Sequence, residues 1–243
     1  MPELPEVETI RVQLAKKIIG KIIFGQKIVG LRRRAKILII DLANGQSLIF
    51  HLKMTGQLIY NGKPSPYTRK VFNFTDGSKL IFNDVRKFGW WKKAKNVTDL
   101  ENQFGPEPLL ISLLDFQSLF SRKSRTKIKS FLMNQKVIAG IGNIYSDEIL
   151  YAAKINPVRQ ANSLSATEIE LVFRQMKRIL ALAIRLKGSS TRDYLDAYGE
   201  KGSFAKLHKV YGREGQKCSR CHGIIKRIKI GGRSAHFCPN CQK

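Results

Sequence analysis

The sequence predicts an α+β protein of more than one domain, and three observations carry that prediction. A single amphipathic helix at the N-terminus is followed by a series of short β-rich runs. The texture turns helical after GPEPLL at 105–110. All four cysteines fall within the last 26 residues. One helix followed by many short strands reads as a β-sandwich or barrel that carries a helix. The helical stretch beyond the linker reads as a second domain, closed by a cysteine-bearing module.

The elements follow in order. Leu4, Val7, Ile10, Leu14 and Ile18 recur at a three-and-four spacing, which predicts a helix over 4–18 ended by Gly20. The runs KIIFGQKIVG, AKILIIDLA, QSLIFHLKM, KVFNFTDG, KLIFNDV and FGWWKKA read as strands, with turn signals at Asn44-Gly45 and Asp76-Gly77. Two prolines and a glycine in GPEPLL mark a linker. SLLDFQSLF, SRTKIKSFLMNQ and IYSDEILYAAKI follow as helices, then a long helix near Thr167–Leu186. KGSSTRDYLDAYGEKGSF is polar and rich in Gly and Ser, so it reads as a long loop, a kind usually kept for function. The divisions are 1–104 for the β-rich domain, 105–111 for the linker, 112–211 for the helical domain and 212–243 for the cysteine module. No internal repeat is present.

Charge is the unusual total. Lys and Arg number 44 against 18 Asp and Glu, a net charge of +26 over 243 residues. A small soluble domain usually carries a magnitude of about 2–8, so this excess predicts a polyanionic partner such as nucleic acid or an acidic membrane face. Within 212–243 eight basic residues face one acid, Glu214. Cys218, Cys221, Cys238 and Cys241 form CxxC, sixteen residues, CxxC. That spacing suits one tetrahedral, structural Zn2+ held by four thiolates, with two disulfides as the alternative in an oxidising compartment. No apolar run approaches a membrane span, and no secretory signal opens the chain. The reading is a cytoplasmic protein with no membrane partner.

The N-terminal MPELPEVETI holds a chemical possibility. Met is normally removed before a residue as small as Pro2, which would expose a secondary amine. An α-amine has a pKa of about 7.7–8.0, so a useful fraction is neutral near pH 7. Such an amine can attack an aldehyde-level carbon and form an iminium ion. Glu3 adjoins it, and Glu6 lies one helical turn on, where a carboxylate can move protons. The plainer reading of these ten residues is a Pro-started helix with first-turn acids.

MPELPEVET, RRAK (33–36), HLKMTG (51–56), NDVRKFG (83–89), GPEPL (105–109), GIGNIYSDE (140–148) and the paired CxxC motifs occur in that order. Together they closely resemble the bacterial formamidopyrimidine-DNA glycosylase family, over nearly the whole chain. The resemblance implies an N-terminal helix plus β-sandwich domain, a helical domain with a helix-two-turn-helix, and a four-cysteine zinc finger. It implies a glycosylase and abasic-site lyase that removes oxidised purines from double-stranded DNA in base excision repair, acting as a monomer. PELPE rather than PEGPE points to this enzyme and away from the oxidised-pyrimidine glycosylase of the endonuclease VIII type.

By the same resemblance Pro2 would attack C1′ and form a Schiff base, with Glu3 moving protons at the sugar and Glu6 supporting them. Lys36 would serve β-elimination and phosphate contact, and Arg233 would grip lesion phosphates and serve δ-elimination. Arg32, Arg33 and Arg34 would add charge only. Met54, Arg86 and Phe88 would fill the hole left by the flipped base, chemistry that suits a flexible apolar chain, a cation and a wedge. Lys129 and Asn143 would hold phosphates, Asn143 at a helix N-terminus reached through Gly140 and Gly142. The 188–203 loop would read the base through backbone N–H groups and hydroxyls of Gly188, Ser189, Ser190 and Thr191.

Three departures stand out. Set against the family it resembles, the chain is expected to be about twenty residues shorter between Phe24 and Ala35 than the usual member. Thr68 stands where many members carry a DNA-contacting His, and Ser124 stands where a basic residue is common. A lesion-binding zinc protein without catalysis is the alternative of a different class, which the presence of Pro2, Glu3, Glu6 and Lys36 disfavours.

Overall fold

The computed structural model describes residues 1–121 and 125–243; the expectation about Ser124 lies outside the described residues. The chain divides into two compact units, one of Met1–Gln103 with Ala183–Ala205, the other of Phe104–Leu182 with Lys206–Lys243. The segment 183–205 thus groups with the N-terminal unit, although it follows the helical stretch in sequence.

In the first unit α1 (Leu4–Ile18) precedes eight strands: β1 (Ile22–Ile23), β2 (Gln26–Arg34), β3 (Ile37–Leu42), β4 (Ser47–His51), β5 (Gly56–Tyr60), β6 (Thr68–Asn73), β7 (Lys79–Asp84) and β8 (Trp90–Ala94). They form a five-stranded sheet, β1-β2-β3-β4-β8, and a three-stranded sheet, β5-β7-β6. Every pairing is antiparallel, as short turns such as those at Gly45 and Gly77 require, both with positive φ. The two sheets and α1 share one core. Leu4, Val7, Ile10, Leu14 and Ile18 are buried along one face of α1, and rings from both sheets interlock, with Phe50 5.4 Å from Phe72 and 6.2 Å from Phe82. Each ring of that size buries enough apolar surface to contribute roughly 1.5–3 kcal/mol. A short α2 (Thr98–Glu101) ends the segment.

Two strands differ from the sequence reading. β2 runs on through Arg32, Arg33 and Arg34, which pair in register with Ile39, Leu38 and Ile37 of β3; Arg32 also bonds Asp41 and Glu101, and Arg33 bonds Glu8. Their charges are therefore engaged within the fold, which corrects the expectation that they contribute charge only. β5 is absent from the predicted strands; its Gly56 must lack a side chain, since a Cβ there would lie 2.5 Å from the carbonyl oxygen of Leu52.

The second unit holds α3 (Leu113–Ser121), α4 (Ile128–Met133), α5 (Asn143–Ala152) and most of α6 (Ala166–Arg185), then the hairpin of β9 (Lys226–Ile230) and β10 (Arg233–Phe237). Its helical core is an aromatic stack: Phe116 lies 5.2 Å from Phe120 and 5.5 Å from Phe173, and Phe120 lies 4.6 Å from Phe131. A second small core joins Tyr151 to Val210, Ile225 and the buried Cys218 and Cys238. No helix among the described residues is long and apolar enough to cross a membrane.

Candidate active site and DNA-binding surface

Pro2, Glu3 and Glu6 are buried together at the start of α1. Glu6 bends back to accept the Glu3 N–H at 2.8 Å, the reach of a capping box. Its other oxygen accepts the N–H of Ser189 at 2.8 Å, and Tyr194 donates its hydroxyl to the Glu6 carbonyl at 3.3 Å. Burial beside Glu6 and Asp196 pushes the Tyr194 hydroxyl pKa well above its ordinary value, so it remains a donor. One acid thus joins the N-terminal helix to the 188–203 loop.

Lys36 is nearly buried in the turn after β2, where Ala35 takes a positive φ. Arg33 sets this turn, donating to the Ala35 carbonyl at 2.8 Å and to Glu8 at 3.0 Å. Glu8 accepts from Arg11 as well; although burial opposes its ionisation, the two guanidiniums hold its carboxyl below the usual range. Lys36 lies within electrostatic reach of the Met1 amine. In the chain that still carries Met1, burial and then the Lys36 charge lower the pKa of the Met1 amine below 8.0, against the opposing pull of Glu3, Glu6 and Asp193.

Arg86 and Phe88 project from the loop between β7 and β8, both exposed, with the guanidinium 5.0 Å from the ring centre. Met54 lies half-buried on the turn before β5. The two loops are tied by a pair that sequence reasoning missed. Asp84, buried, accepts the Thr55 hydroxyl and the N–H of Gly89 at 2.6 Å; Thr55 in turn accepts the N–H of Arg86 at 3.0 Å. Gly89 is required there, because a Cβ would stand 2.9 Å from Asp84 and from the Phe82 ring. The signal was available as an acid inside NDVRKFG. Thr68 spends its hydroxyl on Asn83, at 2.7 Å, and accepts the Ser65 N–H at 2.9 Å.

In the second unit Gly140, at φ +82°, turns the chain into the N-terminus of α5 at Asn143. Gln135 braces that turn, accepting the Gly140 N–H and donating to Ile141, each at 2.8 Å. The side-chain oxygen of Asn143 is buried with no hydrogen-bond partner among the described residues. Lys129 departs from expectation. It is fully buried and paired with Asp147, so its ammonium is not presented at the surface. Asp147 also accepts the His236 N–H at 2.9 Å, which makes it the joint between α4, α5 and β10. Glu148 beside it accepts the N–H groups of Lys209, Val210 and Tyr211; burial nonetheless raises its pKa. Arg233 is exposed at the hairpin turn, after Gly231 and Gly232, both at positive φ.

The four cysteine sulfurs lie within 4.8 Å of one another. Cys218 and Cys241 are 3.8 Å apart, and Cys221 and Cys238 3.4 Å, so none is disulfide-bonded. A tetrahedral zinc with bonds of about 2.3 Å places its sulfurs roughly 3.8 Å apart. The donor set and spacing fit one structural Zn2+.

The loop limits its own groups. Its neck is closed by the pairing of Ser189 with Ser203. The Ser189 N–H is given to Glu6, and the Ser190 hydroxyl is shared between Tyr194 and Gly202. Those two residues are therefore engaged inside the fold, and the exposed tip is Thr191, Arg192 and Asp193.

Comparison with known proteins agrees with this arrangement. The family descriptions "Formamidopyrimidine-DNA glycosylase N-terminal domain", "Formamidopyrimidine-DNA glycosylase H2TH domain" and "Zinc finger found in FPG and IleRS" match residues 23–91, 104–194 and 215–243. A formamidopyrimidine-DNA glycosylase of Carboxydothermus hydrogenoformans is 42% identical, with all of each chain covered. That match extends over 272 positions against the 243 residues here, in keeping with a shortened chain. A Lactococcus lactis FPG variant in complex with Fapy-dG containing DNA has a TM-score of 0.91 and 37% identity, covering 100% of both chains. A MutM in complex with carbocyclic 8-oxo-G containing DNA has a TM-score of 0.90 at 37% identity and the same coverage. With its fold, its four-cysteine cluster and its N-terminal acids in place, the chain belongs to the formamidopyrimidine-DNA glycosylase family, and is a bifunctional DNA glycosylase and abasic-site lyase of DNA repair acting on 8-oxoguanine and formamidopyrimidine lesions.

Proposed function

We propose that the chemistry runs through Pro2 after removal of Met1, on duplex DNA carrying an oxidised purine. The neutral secondary amine attacks C1′ of the extruded nucleotide. A C–N bond forms, the glycosidic bond breaks, the base leaves with a proton, and the sugar ring opens to an iminium ion. Glu3 handles the proton at the ring oxygen, and Glu6 keeps Glu3 and the loop in place. Loss of a C2′ proton then expels the 3′ phosphate, and loss of a C4′ proton expels the 5′ phosphate; water releases the remaining sugar fragment from Pro2. Lys36 serves the first elimination, and Arg233 holds the phosphates for the second.

Met54, Arg86 and Phe88 fill the space left in the duplex, where Phe supports stacking and Arg meets the orphaned base. Asn143 and the N-terminus of α5 receive a phosphate. Lys129, held by Asp147, contributes by ordering that helix start. The four cysteines hold Zn2+, which fixes the hairpin that carries Arg233 and supplies no chemistry of its own.

The observation that carries this reading is the burial of Pro2 together with Glu3 and Glu6 at the start of α1, where Glu6 accepts the Glu3 N–H at 2.8 Å. It is tested by incubating the mature protein with matched duplexes containing 8-oxoguanine or thymine glycol. The expected result is preferential cleavage of the 8-oxoguanine strand, leaving phosphate at both ends of the gap. A gel shift of the lesion duplex without any nick would contradict it, and preferential cleavage at thymine glycol would assign the protein to oxidised pyrimidines.

A further inference from the structure

Helix α1 grips the 188–203 loop at two places. Glu6 takes the Ser189 N–H on the entering limb. Gln13, seven residues on and so on the same face of the helix, takes the returning limb. Its amide donates to the Asp196 carboxylate at 2.7 Å, and its carbonyl oxygen accepts the Ala197 N–H at 2.9 Å. Asp196 is fully buried, and its second oxygen accepts the N–H groups of Tyr198 at 3.0 Å and Glu200 at 2.9 Å. The Ala197 carbonyl in turn accepts the Tyr60 N–H at 2.8 Å, and Gln57 donates to the Asp193 carbonyl at 2.6 Å. Between these fixed limbs only the tip, Thr191–Asp193, is left exposed.

We propose that Gln13 and Asp196 are positioning residues for base recognition: their reciprocal pairing sets the height of the loop tip above the helix that bears Pro2, and with it lesion excision, while leaving the lyase steps alone. The proposal rests on the reading of 188–203 as the loop that meets the extruded base. Its physical basis is the directionality of the pair. Asp196 has only acceptors, and both of its oxygens are used. Gln13 alone among uncharged side chains of that length supplies the donor and the acceptor that the limb requires. Removing it leaves the Ala197 N–H without its acceptor and the buried carboxylate oxygen with only the Lys187 ammonium, 3.9 Å away, so the returning limb loses both of its ties to α1.

An abasic site offers no base to read, so it separates positioning of the loop from the remaining machinery. For Gln13→Ala, kcat/KM for 8-oxoguanine excision should fall by about 10- to 100-fold, the size expected of an ångström-scale misplacement. Nicking of a preformed abasic duplex should stay within about twofold. Gln13→Glu should be impaired in the same way, because it sets carboxylate against carboxylate. The double variant Gln13→Glu with Asp196→Asn reverses the polarity of the pair. The amide introduced on the loop donates, the carboxylate introduced on the helix accepts from it and from the Ala197 N–H, and the amide oxygen still serves Tyr198 and Glu200. This variant should recover excision to within about threefold of the parent, a coupling that independent sites do not show.

A parallel loss of abasic-site nicking in Gln13→Ala would overturn the proposal in favour of a general structural role. Unchanged excision in that variant, or no recovery in the double variant, would overturn it too. Failure of the unaltered mature protein to excise 8-oxoguanine would instead contradict the underlying reading of the loop and site.

Discussion

At the scale of the residue, the proposed chemistry turns on the nitrogen of Pro2. With Met1 attached it is an amide nitrogen and cannot attack carbon. A protein made with an N-terminal tag should therefore lose excision and abasic-site nicking while binding a lesion duplex within about threefold of the mature form, since phosphate contacts dominate affinity. Gel shift and nicking on one preparation check both halves. Lys36→Ala should separate the steps differently. It removes the cation proposed to serve β-elimination, so strand cleavage should fall by about 100-fold, the size of one general acid–base contribution, while release of the free base is retained. Pro2 and Lys36 could be singled out in the sequence because the chemistry proposed for them is local to short motifs. The engagement of Arg32 and Arg33 was not, because their partners Glu101, Asp41 and Glu8 lie on other elements and nothing in a run of arginines distinguishes a paired one from a solvated one. Lys129 misled for the same reason: its partner Asp147 is eighteen residues away.

At the scale of the element, two loops and one hairpin carry the side chains proposed to meet DNA, and each is held by a buried polar group. The wedge loop depends on Asp84 and Thr55. Thr55→Val preserves shape but leaves Asp84 and the Arg86 N–H short of a partner. It should destabilise the protein by about 1–3 kcal/mol and weaken binding to lesion duplex without altering the contact residues; chemical denaturation and a binding titration read the two effects. The hairpin of β9 and β10 depends on the zinc thiolates. Chelation should release it and abolish tight DNA binding, while the aromatic core around Phe50, Phe72 and Phe82 in the other unit stays folded. Circular dichroism with and without chelator checks this. The helices and the turns at Gly45 and Gly77 could be read directly, because periodicity and glycine chemistry are local. β5 could not: GQLIY is short, and its place is set by pairing with β7 and by close approach to Leu52.

At the scale of the whole molecule, charge and titration set the working range. A net charge of +26 should make log affinity for DNA fall linearly with log salt, each neutralised phosphate adding about 0.9 to the slope. Acid should unfold the protein through histidines kept neutral. Burial holds His51 at about 4, with Lys53 and Lys36 adding to the effect, and burial holds His208 at about 4. Both lie below the ordinary 6.5 of the unfolded chain. Their neutral forms therefore contribute full stability above pH 6.5, and that contribution is lost as pH falls from 6.5 toward 4, where the unfolded state binds more protons. Melting temperature against pH should decline across that window, and His51→Gln should flatten the decline.

The central claim is that one secondary amine, freed at Pro2, performs the covalent step. Mature protein with its Pro2 terminus confirmed by mass spectrometry, treated with borohydride on an 8-oxoguanine duplex, should yield a reduced protein–DNA adduct whose modified peptide begins at Pro2. No adduct from that preparation, an adduct mapped to a lysine, or trapping undiminished in Pro2→Gly would contradict it.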